Sequence, residues 1–540
     1  MENYIRAFLT IVRYLLPVLS VLLLFSCGLG LLNKKKRSYR VSLLSDDMKE
    51  TPVEDGEFTL GSGEDCDIIM DGLEENHCVI SVCGKDFAIR PIFKAKIGIN
   101  KHSVKNETEF YPDDIISAGD RQFSLRIKAQ RKRDGDSNSF LKAVALGCLS
   151  LLQFFIMLSL MFAFPQKAMA IAAVFVFLLV FFWLYLIITK FKGTFIEIPV
   201  MFLLSIGMLV VSHNEVGVMI KQLVCLTIGF IGAVVLCKIL SVPKRALNLR
   251  FSAFVCGIVL FSVNMVFGVI YNGAQNWLNI AGFSFQPSEL IKVILVFISG
   301  ASVEKLGSIK DSIFFIAFSV FCLVSLAYLS DFGTALIYGV VLITVIAIRF
   351  CSVKLLALLG GAAVIMGTVV MLAFPYVAKR IFSFGQAWQN AADSGYQQTR
   401  AMIATASGGL FGVGAGNGTL IKVSAADTDI VFGLISEELG IIVSLCALSC
   451  FAIFTLYAIK VLLSAKSTYY GVTACAAAIL LLIQASLNVF GSLDMLPFTG
   501  VTLPFISNGG SSLISCIMLT AFLRTPLVMS YSKAERGHKK

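Results

Sequence analysis

Runs of about 20 apolar residues, the length that crosses a hydrocarbon core at 1.5 Å per residue, recur through most of this 540-residue chain after residue 140. They lie near 141–163, 168–188, 195–212, 217–240, 252–271, 288–302, 311–329, 332–349, 353–375, 430–461, 469–491 and 510–527, with one more at 8–32. In lipid every backbone N–H and C=O must find its partner inside the protein, so such runs have to be helices. A composition of 57% hydrophobic and 15% charged residues agrees. The expected fold is therefore a polytopic α-helical membrane protein of about 13 spans. Its one polar interruption is residues 34–140.

The net charge of +11 does not mark a nucleic-acid binder, because Lys and Arg sit in short loops between apolar runs and form no single stripe. The 14 Cys fall mostly inside apolar segments with no metal-type CxxC pair, and read as small, reduced core residues.

The basic cluster Lys34-Lys35-Lys36-Arg37 follows the first apolar run, whereas a cleaved signal peptide carries its charge in front. Residues 1–33 are thus expected to be a retained anchor with its N-terminus outside and the next segment in the cytoplasm. Alternate threading puts Lys190, the Lys238–Arg250 loop, Glu304–Asp311, Arg349, Lys354, Lys460, Lys466 and the basic tail 528–540 inside, as the positive-inside rule asks. It sends 272–287, 376–429 and 492–509 outside.

Residues 51–128 alternate in short stretches (57–60, 78–82, 87–89, 123–127) broken by Gly, Asp and Asn, which predicts a small all-β sandwich over 34–135. Leu60-Gly61-Ser62, Cys66-Asp67-Ile68-Ile69, His77, Asn100 and Asp113-Asp114-Ile115 make it resemble a forkhead-associated (FHA) domain. It departs from that family at Ser62, where an Arg is usual, and at Glu74-Glu75, where a Ser-Arg pair grips phosphothreonine. Two carboxylates repel a phosphate of charge near −2, so phosphopeptide binding is expected to be lost or altered. His77 reads as a structural turn histidine before it reads as a ligand.

Three external clusters carry the chemistry. The first is Asn272–Trp277 followed by Gln286-Pro287-Ser288-Glu289-Leu290-Ile291-Lys292. Pro287 suits the first position of a helix, and Glu289 and Lys292, three apart, share one face of it at the membrane boundary. Ionisable groups there are paired or functional; a capping and ion-pair role is equally open. The second runs from Ser394 through Gln397, Arg400 and the Gly-rich stretch 408–414 to Asp427-Thr428-Asp429 and Glu437-Glu438. Taken alone, Asp429 reads as a helix cap and Arg400 as an interfacial anchor. The third, Asn488 and then 496–512 with Ser507, Ser511 and Ser512, is rich in Gly, Pro and Ser, and such irregular backbone at membrane depth suits a cavity wall.

Trp277, QPSELIK at 286–292, DFGTAL at 331–336, SGYQQTR at 394–400, TDIVF at 428–432, EELG at 437–440 and LPFISNGGSS at 503–512 stand in one order. Together they make the chain resemble the SEDS (RodA/FtsW) family over a ten-helix core at 195–527. Departures are Ser330 for a usual Pro, Ser424-Ala425 for Pro-Glu, and Asn508 for Tyr. The resemblance implies polymerisation of peptidoglycan glycan strands from lipid II in elongation, division or sporulation, beside a class B penicillin-binding transpeptidase. It makes Asp429 the catalytic base, with Trp277, Gln286, Glu289, Lys292, Arg380, Gln397, Arg400, Glu437, Ser507, Ser511 and Ser512 binding substrate or lining its cavity. Arg400 and Arg380 would face the pyrophosphate, and a divalent cation bridging Asp429 to it is compatible with that chemistry. The competing readings are a transporter of the lipid-linked precursor and a non-catalytic scaffold recruiting a cytoplasmic protein through the FHA-like domain. The two extra helices within 140–190 acquire no role from the resemblance.

Overall fold

The protein is described by a computed structural model covering residues 2–536, except 33–38, 47–49, 54–55, 76, 84–85, 93–94, 101, 105–107, 112–113, 120, 130–134, 192, 272–273, 281–282, 304–308, 351 and 465–467. Lys34–Arg37, Asp113, Asn272, Gly273, Glu304 and Lys466 of the sequence reading lie outside the described residues. The chain forms two compact units, 33–138 and the remainder.

The smaller unit is the all-β sandwich expected from the alternating pattern. Its strands are β1 (Tyr39–Ser45), β2 (Glu50–Val53), β3 (Gly56–Gly61), β4 (Ile68–Ile69), β5 (Cys78–Cys83), β6 (Asp86–Pro91), β7 (Ile97–Ile99), β8 (His102–Val104), β9 (Thr108–Phe110), β10 (Ile116–Ala118) and β11 (Arg121–Ala129). One sheet runs β2-β1-β11-β10-β7-β8 and the other β4-β3-β5-β6-β9. Leu43, Leu60, Ile80, Ile89, Ile116 and Leu125, from both sheets, fill the core between them, as alternation with period two requires.

The larger unit opens with α1 (Glu2–Leu32) and resumes with α2 (Gly135–Ala163), α3 (Ala168–Ile188), α4 (Thr194–Ser212), α5 (Val216–Leu240) and α6 (Pro243–Phe267). A three-stranded antiparallel sheet follows, β12 (Val269–Tyr271), β13 (Ala274–Ile280) and β14 (Phe283–Phe285). Next come α7 (Pro287–Val303), α8 (Ile309–Tyr328), α9 (Phe332–Phe350), α10 (Val353–Ala373), α11 (Pro375–Phe382), α12 (Tyr396–Gly408) and α13 (Val431–Leu439). The chain ends with α14 (Ile441–Ser464), α15 (Thr468–Ser492) and α16 (Gly510–Arg536). Among the described residues 11 helices are long and apolar enough to cross a membrane; α8 offers a shorter apolar stretch, Ile313–Tyr328, and α7 has 17 residues.

Two boundaries depart from the apolar runs. The run at 430–461 is two helices, because Gly440 takes φ 85° and turns the chain between α13 and α14. The run at 252–271 ends as a helix at Phe267, and its last residues join the three-stranded sheet as β12. Hydropathy registers both as continuous because it is blind to backbone angle.

Burial sorts the helices by position. Every residue of α4 is buried, whereas α10 buries none and beyond Lys354 and Thr368 is apolar all round, as a helix bathed in lipid can be. Glu197 on α4 meets Arg524 on α16 at 2.7 Å, one of few charges inside. The anchor α1 is part of the bundle: it packs on α14 and α4, and Lys460 Nζ donates to the Leu31 carbonyl at 2.8 Å.

Candidate active site

Asp427-Thr428-Asp429 lies on the segment just ahead of α13, and three other elements hold it by its backbone and by Asp427. Asn488 of α15 donates from Nδ2 to the Asp429 carbonyl at 2.9 Å and to the Val501 carbonyl at 2.8 Å. Ser507 Oγ donates to the Thr428 carbonyl at 2.6 Å. Asn508 donates its backbone N–H to the Asp427 carbonyl at 2.8 Å and its Nδ2 to Asp427 Oδ2, also at 2.8 Å. Asn214, just past α4, donates to the same oxygen at 2.9 Å.

The Asp429 carboxylate itself is not spent as a cap. The residue capping α13 is Ile430, with no side-chain hydrogen bond, which removes the helix-cap reading. The side chain is half-buried, and a Cβ added at Gly500 would stand 3.5 Å from its Oδ2. Burial pushes its pKa above the usual carboxylate value, helped by Asp427 and opposed by Thr428 and Arg380. Arg380, on α11, is thus electrostatically coupled to Asp429. Arg400 is placed differently: exposed on α12, with its guanidinium 5.2 Å from the Tyr396 ring centroid. Gln397, on the same helix, donates to the Ser424 carbonyl at 3.0 Å and so ties α12 to the segment leading into Asp427.

The Gly-rich stretch pairs with the α13–α14 corner. Val413 N donates to Glu437 O at 2.8 Å, Gly414 N to Glu438 O at 3.0 Å, and Ile441 N to Gly409 O at 3.0 Å. Gly412 (φ 79°) and Gly440 (φ 85°) face each other there, and a Cβ on either would run into the backbone of the other's segment. Glu437, expected to line the cavity, is buried and structural: Oε1 accepts from Thr419 N at 3.0 Å and Thr419 Oγ1 at 2.8 Å, and Oε2 from Leu420 N at 2.9 Å. Its neighbour Glu438 accepts from Gly416 N at 2.8 Å and Gly418 N at 3.3 Å, and its Oε1 lies 2.8 Å from His213 Nε2.

Glu289 and Lys292 do share a helix face, and they are inside the bundle, 4% and 1% exposed. Lys292 Nζ reaches Glu289 Oε1 at 2.7 Å and Gln484 Oε1 at 3.0 Å, and Ser515 Oγ donates to Glu289 Oε2 at 2.9 Å. Gln484 continues to Thr502, which exchanges a 2.9 Å hydrogen bond with Ser512. Gln484 and Asn488 are four apart on α15, so one helix face carries both the buried ion pair and the support of Asp429. Ser511 is buried at the start of α16. Gln286 donates to Asp331 Oδ2 at 3.3 Å, while Asp331 Oδ1 accepts from Thr334 N at 3.0 Å and so caps α9. Trp277 is partly buried on β13, opposite Val269.

The supporting amides Asn214, Asn488 and Asn508 were not among the predicted site residues, though Asn488 and Asn508 stood inside motifs already noted. Asp494 is another organiser: it accepts from Gly385 N, Ala387 N and Gln398 Nε2 at 3.1, 2.9 and 3.2 Å. The extra helices acquire a part as well. Lys167, between α2 and α3, donates to the carbonyls of His213 and Asn214 at 3.2 and 2.8 Å and so holds the turn that presents Asn214 to Asp427.

In the sandwich, Ser62 N donates to Glu74 O and Gly63 N to Glu75 O, both at 2.9 Å, so the two departures from the FHA pattern lie on one edge. His77 is buried, accepting from Glu74 N at 3.3 Å and lying 3.3 Å from the Lys96 carbonyl; it braces the turn.

A model of the family described as "Cell cycle protein", covering FtsW, RodA and SpoVE, matches residues 183–531. The chain is 35% identical over 271 residues to the probable peptidoglycan glycosyltransferase FtsW of Aliivibrio salmonicida (strain LFI1238), 48% of this chain and 67% of that protein. It is 31% identical over 268 residues to the stage V sporulation protein E of Bacillus subtilis (strain 168), 47% of this chain and 72% of that one. The fold is similar to a chain solved in "Structural coordination of polymerization and crosslinking by a peptidoglycan synthase complex", with TM-score 0.53 and 22% identity, over 62% of this chain and 97% of that one.

Proposed function

This chain belongs to the FtsW/RodA/SpoVE family, the SEDS family, and from that premise we propose that it is a multi-pass membrane glycosyltransferase polymerising peptidoglycan glycan strands from lipid II. The 4-hydroxyl of one sugar attacks the anomeric carbon of another that carries undecaprenyl pyrophosphate. The hydroxyl proton passes to Asp429, a new glycosidic C–O bond forms, the bond to the pyrophosphate oxygen breaks, and the lipid pyrophosphate leaves. The observation that carries this reading is Asp429: a half-buried carboxylate, free of capping duty, on a backbone pinned by Asn488 and Ser507. A base held in one place is what general catalysis needs. Arg380 is the cation best placed to meet the leaving pyrophosphate, since its charge already acts on Asp429.

Among the described residues no three or more His, Cys, Asp or Glu stand together as a metal cage. A hard cation needs only one or two protein carboxylates when phosphate oxygens supply the rest, and Asp429 is the donor that fits. Such a cation would neutralise the leaving charge. The outward orientation of Asp429, the cytoplasmic sandwich and the pairing with a class B transpeptidase belong to the same proposal; the alternating basic loops support the first two. The test is lipid II polymerisation by the purified, partner-bound protein, wild type beside Asp429→Ala. Glycan ladders from the wild type alone support Asp429 as base, whereas ladders from a folded Asp429→Ala protein exclude it.

A further inference from the structure

Helices α1 and α2 lie outside the matched family region, yet they supply most of one wall of a cavity whose other wall is the site's own Gly-rich loop. The cavity is about 170 Å³ and is lined by Thr10, Arg13, Ser159, Phe411, Asn417 and Glu438 among others. Tyr14 of α1 meets Phe411 of the loop edge-on, with centroids 4.8 Å apart, so α1 and the loop are in direct contact.

Its charges do not cancel one another. Glu438 is already satisfied by the Gly416 and Gly418 N–H groups and by His213. Arg13 is not: its Nε is buried without a hydrogen-bond partner, on a helix whose Ile11 and Val18 are 58% and 54% exposed on an apolar surface. A guanidinium at membrane depth is costly unless it meets an anion. The planar fork of Arg matches phosphate oxygens two at a time. At 170 Å³ the space is below the range of sites that enclose a whole small molecule, so it takes a headgroup whose tail lies elsewhere.

We propose that this cavity binds the phosphodiester headgroup of an anionic membrane phospholipid, gripped by Arg13, with its acyl chains along the exposed apolar faces of α1 and α2. Ser159, Thr10 and Asn417 supply neutral hydrogen bonds around it. The bound lipid joins the added helices to the loop that pairs with Glu437 and Glu438. Asp429 is not among the residues that line this cavity, and the proposal does not depend on the reaction assigned above.

The test counts phospholipids retained by the purified full-length protein under native mass spectrometry, after exchange into phosphatidylglycerol. The wild type is expected to hold one phosphatidylglycerol that Arg13→Gln releases, a loss of about ten- to hundredfold in affinity for a charge-assisted pair. Arg13→Lys restores part of it, and Ser159→Leu, which fills the cavity and keeps the charge, loses it too. Equal retention by wild type and a folded Arg13→Gln protein overturns the proposal. Glycerol phosphate displacing the lipid at concentrations comparable to the lipid's own overturns the assignment to a membrane source.

Discussion

Asn488 holds Asp429 by its main chain: one side-chain NH₂ donates to the Asp429 carbonyl at 2.9 Å and to Val501 at 2.8 Å. The carboxylate is untouched, so the amide fixes where the group stands without changing what it is. Replacing Asn488 by Ala is expected to lower kcat by about 100-fold, the cost of roughly an ångström of misplacement, with KM little changed. Single-turnover polymerisation measures it, and an unchanged kcat excludes Asn488 as a positioning residue.

Burial raises the pKa of Asp429, and only the ionised form accepts a proton. Activity is therefore lost as pH falls through that raised value, so the acid limb of kcat/KM lies above the ordinary carboxylate range near 3.9. The fold does not follow. A carboxylate whose folded pKa exceeds its unfolded one binds protons more tightly when folded, and protonating it favours the native state. A pH series of initial rates run beside melting curves separates the two effects.

The Glu289–Lys292 pair is a matter of stability first. Lys292→Met strands a carboxylate inside the bundle and is expected to cost about 3–5 kcal/mol, while Glu289→Leu with Lys292→Met costs less than the single change. Thermal unfolding of the detergent-solubilised protein ranks the variants; a double variant worse than the single would show that the pair itself is needed.

On the sandwich, Glu74 and Glu75 stand beside Ser62 across paired backbone. The full chain is expected not to bind phosphothreonine peptides, and the combined changes Ser62→Arg, Glu74→Ser and Glu75→Arg are expected to create binding by supplying charge-assisted donors. Calorimetric titration with one phosphopeptide and its unphosphorylated form reads both.

Apolar length placed the membrane helices, and period-two alternation placed the sandwich, because each is a local pattern. Glu289 and Lys292 were legible as a pair for the same reason. The roles of Asn214 and Asn508 were not: each meets Asp427 across 213 and 81 residues of chain, and nothing local marks such a partner. Asn508, noted as a departure from the family's Tyr, turns out to grip Asp427 with both its backbone and its amide. Ser330 is similar. It adopts φ 60°, which a proline ring cannot, so the turn before Asp331 is built differently from one that carries the usual Pro. Glu437 misled in the opposite direction, since a carboxylate inside a functional motif looks the same whether it meets substrate or the N–H groups of Thr419 and Leu420.

The pairing of 409–414 with the α13–α14 corner bears on how the protein moves. A helix broken in a membrane usually exposes backbone groups, and a segment that must search for partners becomes a hinge. Here Val413, Gly414 and Ile441 are all engaged across the break, so their amides should exchange with solvent deuterium as slowly as those of intact helix. Motion during a catalytic cycle then has to come from elsewhere in the segment 376–429, and the corner at the far end of α13 from Asp429 serves as its fixed reference.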